Sequence, residues 1–395
     1  MRIGGTIYLD HQATTPIDPQ VLERMTPFLG DRFGNPHSSE HALGWEAARA
    51  VEESTAQLAR LIGADPDEII FTSGATEANN LALLGLAGSG PARVRRRVLL
   101  GSSDHKSTLA VGRVLQERGF EVTHLHVDAG GYVDLDELRE AVSPSVLIVS
   151  ICAVNSEIGT IQNLAEIGAI VRQHGVLLHC DAAQAPCGMD VSTITEFAEL
   201  VSVSAHKMYG PKGIGALYIR RHVQRIIQPI IHGGGQQSNL RSGTVPTPLC
   251  VGFGAAAKLM CGLDAAAERE RIGKLRDKFM QRLLELPWPV ILNGTSRSPR
   301  HPGNVNVRFD GFSGQDLLSV LQPSLAASTG SACASGISEA SYVLRAIGLT
   351  HDEAVSSVRF CVGRYTTDAD ISEAAELIAA ALTRLSKAGL GRRAG

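Results

Sequence analysis

Short apolar runs alternate with amphipathic stretches through the first half of the chain, and this alternation restricts the fold more than any other feature. The runs are Glu68-Ile-Ile-Phe-Thr72, Val98-Leu-Leu-Gly101, Val146-Leu-Ile-Val-Ser150, Val176-Leu-Leu-His179 and Leu200-Val-Ser-Val-Ser204. Each has the length of a buried strand. Helical patterns lie between them, at Thr76 to Leu86, Lys106 to Arg118, Leu135 to Val142 and Asn163 to His174. Strand and helix in turn predict an α/β fold, with a mostly parallel sheet covered on both faces. Ligands of such sheets bind outside the carboxyl ends of the strands.

After residue 262 the pattern changes. Leu263 to Leu286 reads as a long surface helix, ended by Trp288-Pro289, and G-N-V-N-V-R-F (303–309) alternates like a half-buried strand. A second, smaller α+β domain is expected there, carrying Cys333 and Arg359. A length of 395 residues accommodates two domains.

The net charge of −3 shows no basic excess, and direct nucleic-acid binding is not expected. Arg93-Val-Arg-Arg-Arg97 reads as a solvated face before a strand. M-R-I-G-G-T-I-Y-L-D has no apolar core of signal-peptide length, and no run reaches the roughly 18 apolar residues of a membrane span. Seven cysteines without a C-x-x-C pair argue against a disulfide framework and a structural zinc site, so no metal is expected. The expected compartment is the cytoplasm.

The residues that follow the strands carry the chemistry. They are S-G-A-T-E (73–77), S-S-D-H-K (102–106), A-V-N-S-E-I-G (153–159), H-C-D-A-A-Q (179–184) and S-V-S-A-H-K (202–207). The glycine turn before Thr76 can seat a phosphate at a helix N-terminus, or simply join strand to helix. Asp181 and Lys207 can form an ion pair. They can equally serve pyridoxal phosphate, with the lysine holding its aldehyde as a Schiff base and the acid keeping its ring nitrogen protonated. Lys212, in G-P-K-G, competes with Lys207 but suits a phosphate-side or structural place. His105 can stack on a cofactor and move protons, or sit at a surface. Arg359 can grip a substrate carboxylate or form a structural pair, with Arg364 as the alternative.

In combination these motifs resemble one family. S-A-H-K-M-Y-G-P-K-G (204–213) is similar to the cofactor-lysine motif of the NifS/IscS-type cysteine desulfurases, within the class V aminotransferase group. The resemblance continues through Y-L-D-H-Q-A-T-T-P (8–16), F-G-N-P-H-S (33–38), F-T-S-G-A-T-E (71–77), N-S-E-I-G (155–159), D-A-A-Q (181–184), L-R-S-G-T (240–244) and S-A-C-A-S (331–335). It implies a type I PLP-dependent fold in a homodimer. The large domain would span 16–262 and hold a seven-stranded, mostly parallel sheet. The small domain would comprise 1–15 and 263–395. Lys207 would hold pyridoxal 5'-phosphate, His105 would stack on the ring as acid/base, Asp181 would pair with the ring nitrogen and Gln184 would reach the phenolic oxygen. Thr76, Ser204 and His206 would seat the phosphate, with Thr244 reaching in from a second subunit, and Ala75 and Asn155 would also bind the cofactor. Asn155 and Arg359 would orient the substrate, with Asn35 near its carboxylate.

The substrate so implied is L-cysteine, and Cys333 would take its sulfur as a persulfide for an acceptor protein. Small neighbours in T-G-S-A-C-A-S-G (329–336) suit a thiol that must move and stay accessible. The other six cysteines read as core or incidental. An aminotransferase or kynureninase-like hydrolase of this fold needs no such thiol; a selenocysteine lyase could keep it. Two places depart from the family pattern: Gln237-Ser238-Asn239 stands where Glu-Arg-Gly is common, and Ser39 where Arg is common. The sequence ends A-G-L-G-R-R-A-G, short of the tail with which iron–sulfur desulfurases often hold a scaffold. Iron–sulfur assembly, tRNA thiolation and DNA phosphorothioation therefore all stay open as destinations for the sulfur.

Overall fold

All five apolar runs become strands of one sheet. The computed structural model describes residues 1–296, 299–330 and 340–390. In chain order the strands are β1 Ile69–Thr72, β2 Arg97–Gly101, β3 Glu121–Leu125, β4 Val146–Cys152, β5 Leu177–Asp181, β6 Leu200–Ser204 and β7 Gly215–Ile219. In space they run β1-β7-β6-β5-β4-β2-β3. Only β7 runs against its neighbours; every other pair in this sheet is parallel. Side chains leave alternate faces: Leu99, Val149 and Val201 join one buried cluster, while Leu100, Ile148 and Leu217 join another. This two-sided burial makes β4 apolar almost throughout and leaves every residue of β6 buried, its two serines included.

Two strands were not among the apolar runs. At the sheet edge, β3 (E-V-T-H-L) is partly exposed and mixes polar with apolar residues. The other, β7, begins at a glycine, because a Cβ at Gly215 would lie 2.6 Å from the backbone of Gly74 and 2.7 Å from the Val203 carbonyl oxygen.

A second core forms on an antiparallel sheet of Val290–Leu292, Asn304–Phe309 and Ser357–Cys361. The helices Gly262–Leu284 and Asp368–Lys387 cover it, with Phe279 edge-on to Phe360 at 5.4 Å. The N-terminal segment belongs to this core. Ile7 and Leu9 are fully buried in it, and Thr6–Tyr8 pairs in parallel with Leu325–Ala326. The segment then crosses to the first sheet, where Thr15 N–H donates to the His206 carbonyl.

The basic run serves the fold. Arg95 donates to the Gly175 carbonyl, Arg96 donates to the Arg118 carbonyl and stacks 3.9 Å over Phe120, and Arg97 pairs with Glu121. No single helix among the described residues is long and apolar enough to cross a membrane.

The departure at Gln237 has a structural use. Strand β1 is a sheet edge, and its outer backbone groups need partners. The Gln237 amide supplies both, its Oε1 accepting from Phe71 N–H at 2.7 Å and its Nε2 donating to Phe71 O at 3.0 Å. Gln237, Ser238 and Asn239 all take left-handed φ values of 51°, 57° and 63° to place it. Replacing Gln237 with Ala should cost about 1–3 kcal/mol, the net worth of two partly buried hydrogen bonds. A lowered urea midpoint with an unchanged m-value would show it.

Candidate active site

One cavity of about 660 Å³ opens at the carboxyl ends of the parallel strands. Ten of the described residues expected at the site line it: Ala75, Thr76, His105, Asn155, Asp181, Gln184, Ser204, His206, Lys207 and Arg359. Asn35 and Thr244 are exposed and lie outside the cavity of their own chain. Cys333 lies outside the described residues. Gly330 and Tyr342, on either side of its segment, both line the cavity.

Lys207 sits in the 3₁₀ turn Ala205–Lys207 directly after β6. Its Nζ donates to the carbonyls of Gln12 (2.6 Å) and Ala13 (2.8 Å). Burial, with the charge of Arg359 adding to it, brings its pKa down to about 8. Lys212 also lines the cavity.

Asp181 ends β5. Its Oδ2 accepts from Asn79 Nδ2 at 2.7 Å, and its Oδ1 accepts from Ala183 N–H at 3.0 Å. Asn79 Nδ2 also donates to Ser107 Oγ at 2.9 Å. That hydroxyl lies 2.8 Å from His105 Nδ1, which accepts the Ser107 N–H at 3.1 Å. An accepting Nδ1 leaves the neutral ring's proton on Nε2. Burial lowers the His105 pKa, so the ring is neutral at pH 7. One asparagine thus joins the acid of the site to its imidazole.

The helix Ala75–Ala87 starts at Gly74, where a Cβ would meet nothing within 4 Å. Ser73, Gly74, Ala75 and Thr76 line this end of the cavity together with Ser204 and His206. Glu77 turns away from it, accepting from Ser73 N–H and pairing with Arg241 at 2.9 Å. His206 Nδ1 lies 3.1 Å from Thr14 Oγ1, and burial takes its pKa down to about 4.

Arg359 is both a cavity residue and a structural pair. Its Nη2 donates to Asp10 Oδ1 at 2.7 Å and its Nη1 to the Ser156 carbonyl at 2.9 Å. Arg364 pairs with Asp18 and Glu268 instead, and does not line the cavity. The Asn155 side chain chiefly builds its own loop: Oδ1 accepts from Glu157 N–H and Ile158 N–H, and Nδ2 donates to the Ser103 carbonyl. Gln184 Nε2 donates to the Gln12 carbonyl.

Sequence reading missed Asn79, Asp10, Gln12 and Asp104. Asn79 carried a signal, since a buried amide on an otherwise apolar helix face must find polar partners. Asp104 is buried with Oδ2 unpartnered, and burial pushes its pKa up to about 7. Cys152 also lines the cavity. Burial raises all six described thiols above their ordinary value, so none of them is primed as a thiolate.

The donor set fits pyridoxal phosphate. A lysine lacking a carboxylate in hydrogen-bond contact faces a buried carboxylate across a cavity that ends in an open, glycine-initiated helix N-terminus. Residues 7–373 match the family "Aminotransferase class-V". "Cysteine desulfurase IscS" of Rickettsia akari is 44% identical over 382 residues, covering 96% of this chain and 92% of that one. Among solved structures, a "NIFS-LIKE PROTEIN" superposes with a TM-score of 0.89 at 32% identity, over 96% of this chain and all of its own. "SspA in complex with cysteine" does so with a TM-score of 0.79 at 34% identity, over 92% of this chain and all of its own. The chain belongs to the class-V aminotransferases and, among them, to the cysteine desulfurases. Its architecture is the type I fold of pyridoxal phosphate enzymes, and that is its cofactor.

The depressed lysine makes a pH prediction. An amine must be neutral to attack an aldehyde, so Lys207 in cofactor-free protein should capture pyridoxal phosphate about tenfold faster per pH unit up to its pKa, then level off. Stopped-flow absorbance across pH 6–9 should show the break near 8.

Proposed function

We propose that the protein takes sulfur from free L-cysteine as a persulfide on Cys333, releases L-alanine, and passes the sulfur to an acceptor protein in the cytoplasm. The observation that carries this reading is the shared cavity. Lys207, Asp181, His105 and Arg359 meet there, and the residues flanking the Cys333 segment line the same space.

Pyridoxal phosphate, when bound, supplies an electron sink that acidifies the substrate Cα–H and weakens its Cβ–Sγ bond. Lys207 would hold the cofactor's aldehyde, and burial brings its amine toward neutrality, as moving protons at the substrate carbon requires. Asp181, fixed by Asn79 and Ala183 N–H, presents a carboxylate to the ring nitrogen. His105 offers Nε2–H, the ring position that its fixed Nδ1 leaves free. Thr76, Ser204 and His206 would seat the phosphate, with Ala75 beside them at the cofactor. Gln184 would reach the phenolic oxygen, and Asn155 would have one N–H left for the ligand. Arg359 receives the substrate carboxylate.

The Cys333 thiolate attacks the substrate Sγ. The S–S bond forms, the Cβ–Sγ bond breaks, and its electron pair stays with carbon, which a proton completes to alanine. Thiol plus cysteine thus becomes persulfide plus alanine without an outside oxidant. Sulfide and alanine release by Cys333→Ala tests the reading. The variant should keep the cofactor's absorbance and lose nearly all sulfide output, about a hundredfold or more for a missing nucleophile. Undiminished output would overturn it.

The reading includes a homodimer, with the chain divided into 16–262 and 1–15 plus 263–395. The separate buried clusters support the division. Leu29, Phe33 and Trp45 support the dimer, being 63%, 72% and 59% exposed near Asn35 in sequence. Asn35 and Thr244 would then serve a partner's cavity rather than their own. Phe33→Glu should shift the protein from dimer to monomer in sedimentation velocity and weaken its hold on the cofactor.

A further inference from the structure

Glu157 is a buried carboxylate that the chemistry above does not use. It follows β4 in the loop whose shape Asn155 fixes, and its backbone carbonyl is clamped from the second sheet by Asn304 Nδ2 at 2.9 Å and Asn306 Nδ2 at 3.0 Å. Both asparagines are fully buried, so the main chain at Glu157 has little freedom.

Its side chain meets the chain on both sides of residues 331–339. Ser341 Oγ donates to Glu157 Oε2 at 2.5 Å. Gly330 has φ +91°, and a Cβ there would stand 2.7 Å from the same Oε2 and 3.1 Å from Cδ. Glycine is thus required twice at position 330, once by the backbone and once by the carboxylate. The next residue after Ser341 is held as well, since Tyr342 Oη donates to the Asp104 carbonyl at 2.7 Å, directly before His105. Ser341 also caps the helix Tyr342–Ala346 by accepting from Leu344 N–H. Two points eleven residues apart therefore meet at a single oxygen at the wall of the cavity, Ser341 by a hydrogen bond and Gly330 by close approach.

We propose that Glu157 is a positioning residue for sulfur transfer: it fixes the two roots of the segment that carries Cys333 against the cavity. This rests on the reading of Cys333 as the sulfur acceptor. The need is for a hydrogen-bond acceptor at Oε2, which a glutamine amide oxygen can also supply. Holding both roots raises the effective concentration of the thiol at the substrate sulfur, as a short tether does.

The test uses holoenzyme with Glu157→Ala, Glu157→Gln and Ser341→Ala beside Cys333→Ala. Glu157→Ala should lower kcat for alanine release about tenfold or more, with the KM for cysteine within about threefold and the cofactor spectrum unchanged. Ser341→Ala should show the same split more weakly, and it stands in if Glu157→Ala fails to fold. Glu157→Gln should restore kcat to within about threefold of wild type. Alkylation of Cys333 by iodoacetamide, followed by peptide mass, should be at least about threefold faster in the alanine variants.

Unchanged kcat in both alanine variants would overturn the proposal. So would equal failure of the glutamine and alanine variants, or losses that track KM and cofactor occupancy. Full activity of Cys333→Ala would instead remove the reading on which the proposal stands, and is told apart by that variant alone.

Discussion

Burying an amine that has no carboxylate in contact is the constraint around which the site is built. The fall of Lys207 from 10.5 to about 8 is a penalty of roughly 3 kcal/mol on its cation. Two carbonyls, of Gln12 and Ala13, take its hydrogens. Those carbonyls belong to a segment anchored elsewhere: Ile7 and Leu9 lie in the second core, and Asp10 bridges to Cys361. The reactivity of a residue on the large sheet is therefore held by a strand of the other core. Asp10 also fixes Arg359. One short stretch near the N-terminus positions both the lysine and the arginine, and ties the site's chemistry to how the two cores sit together.

The sheet was legible because its physics is local. Strands buried on both faces must be apolar runs, and a parallel sheet delivers function to their carboxyl ends, so His105, Asn155, Asp181 and Lys207 stood out one strand at a time. β3 was illegible because an edge strand need not be apolar on both faces. β7 is buried throughout and apolar after Gly215, so the same local rule covers it, although its glycine start, set by the approach of Gly74, kept it from standing out as a run. Gln12 and Ala13 act through carbonyls, which any side chain could present. Asn35 and Thr244 entered through family resemblance alone, and neither lines the cavity of its own chain.

Polar groups behind the cavity carry a second layer of order. Asn79 spends its Nδ2 hydrogens on Asp181 and on Ser107, and Ser107 fixes His105. The acid and the imidazole therefore respond to one another without touching. Deeper still, Ser150, His179 and Ser202 form a chain of 2.8 and 2.9 Å contacts across β4, β5 and β6. Burial holds His179 neutral, with a pKa near 4, so this chain adds polar cross-links to the middle of the sheet without adding charge beneath Asp181.

Arg359 combines a structural pair with a place in the cavity wall. A guanidinium left alone in a cavity beside Lys207 would deepen the penalty on that amine. Asp10 offsets this by neutralising Arg359, and the Ser156 carbonyl fixes its plane. Under the proposed role, an arriving carboxylate must share the guanidinium with Asp10 rather than find it free. It enters a field in which the charge of Arg359 is already offset by Asp10. A guanidinium so fixed would take a second acceptor only along its remaining donor directions, which would favour orientation over tightness. That balance suits a site that must release alanine, whose carboxylate is the same as that of the substrate.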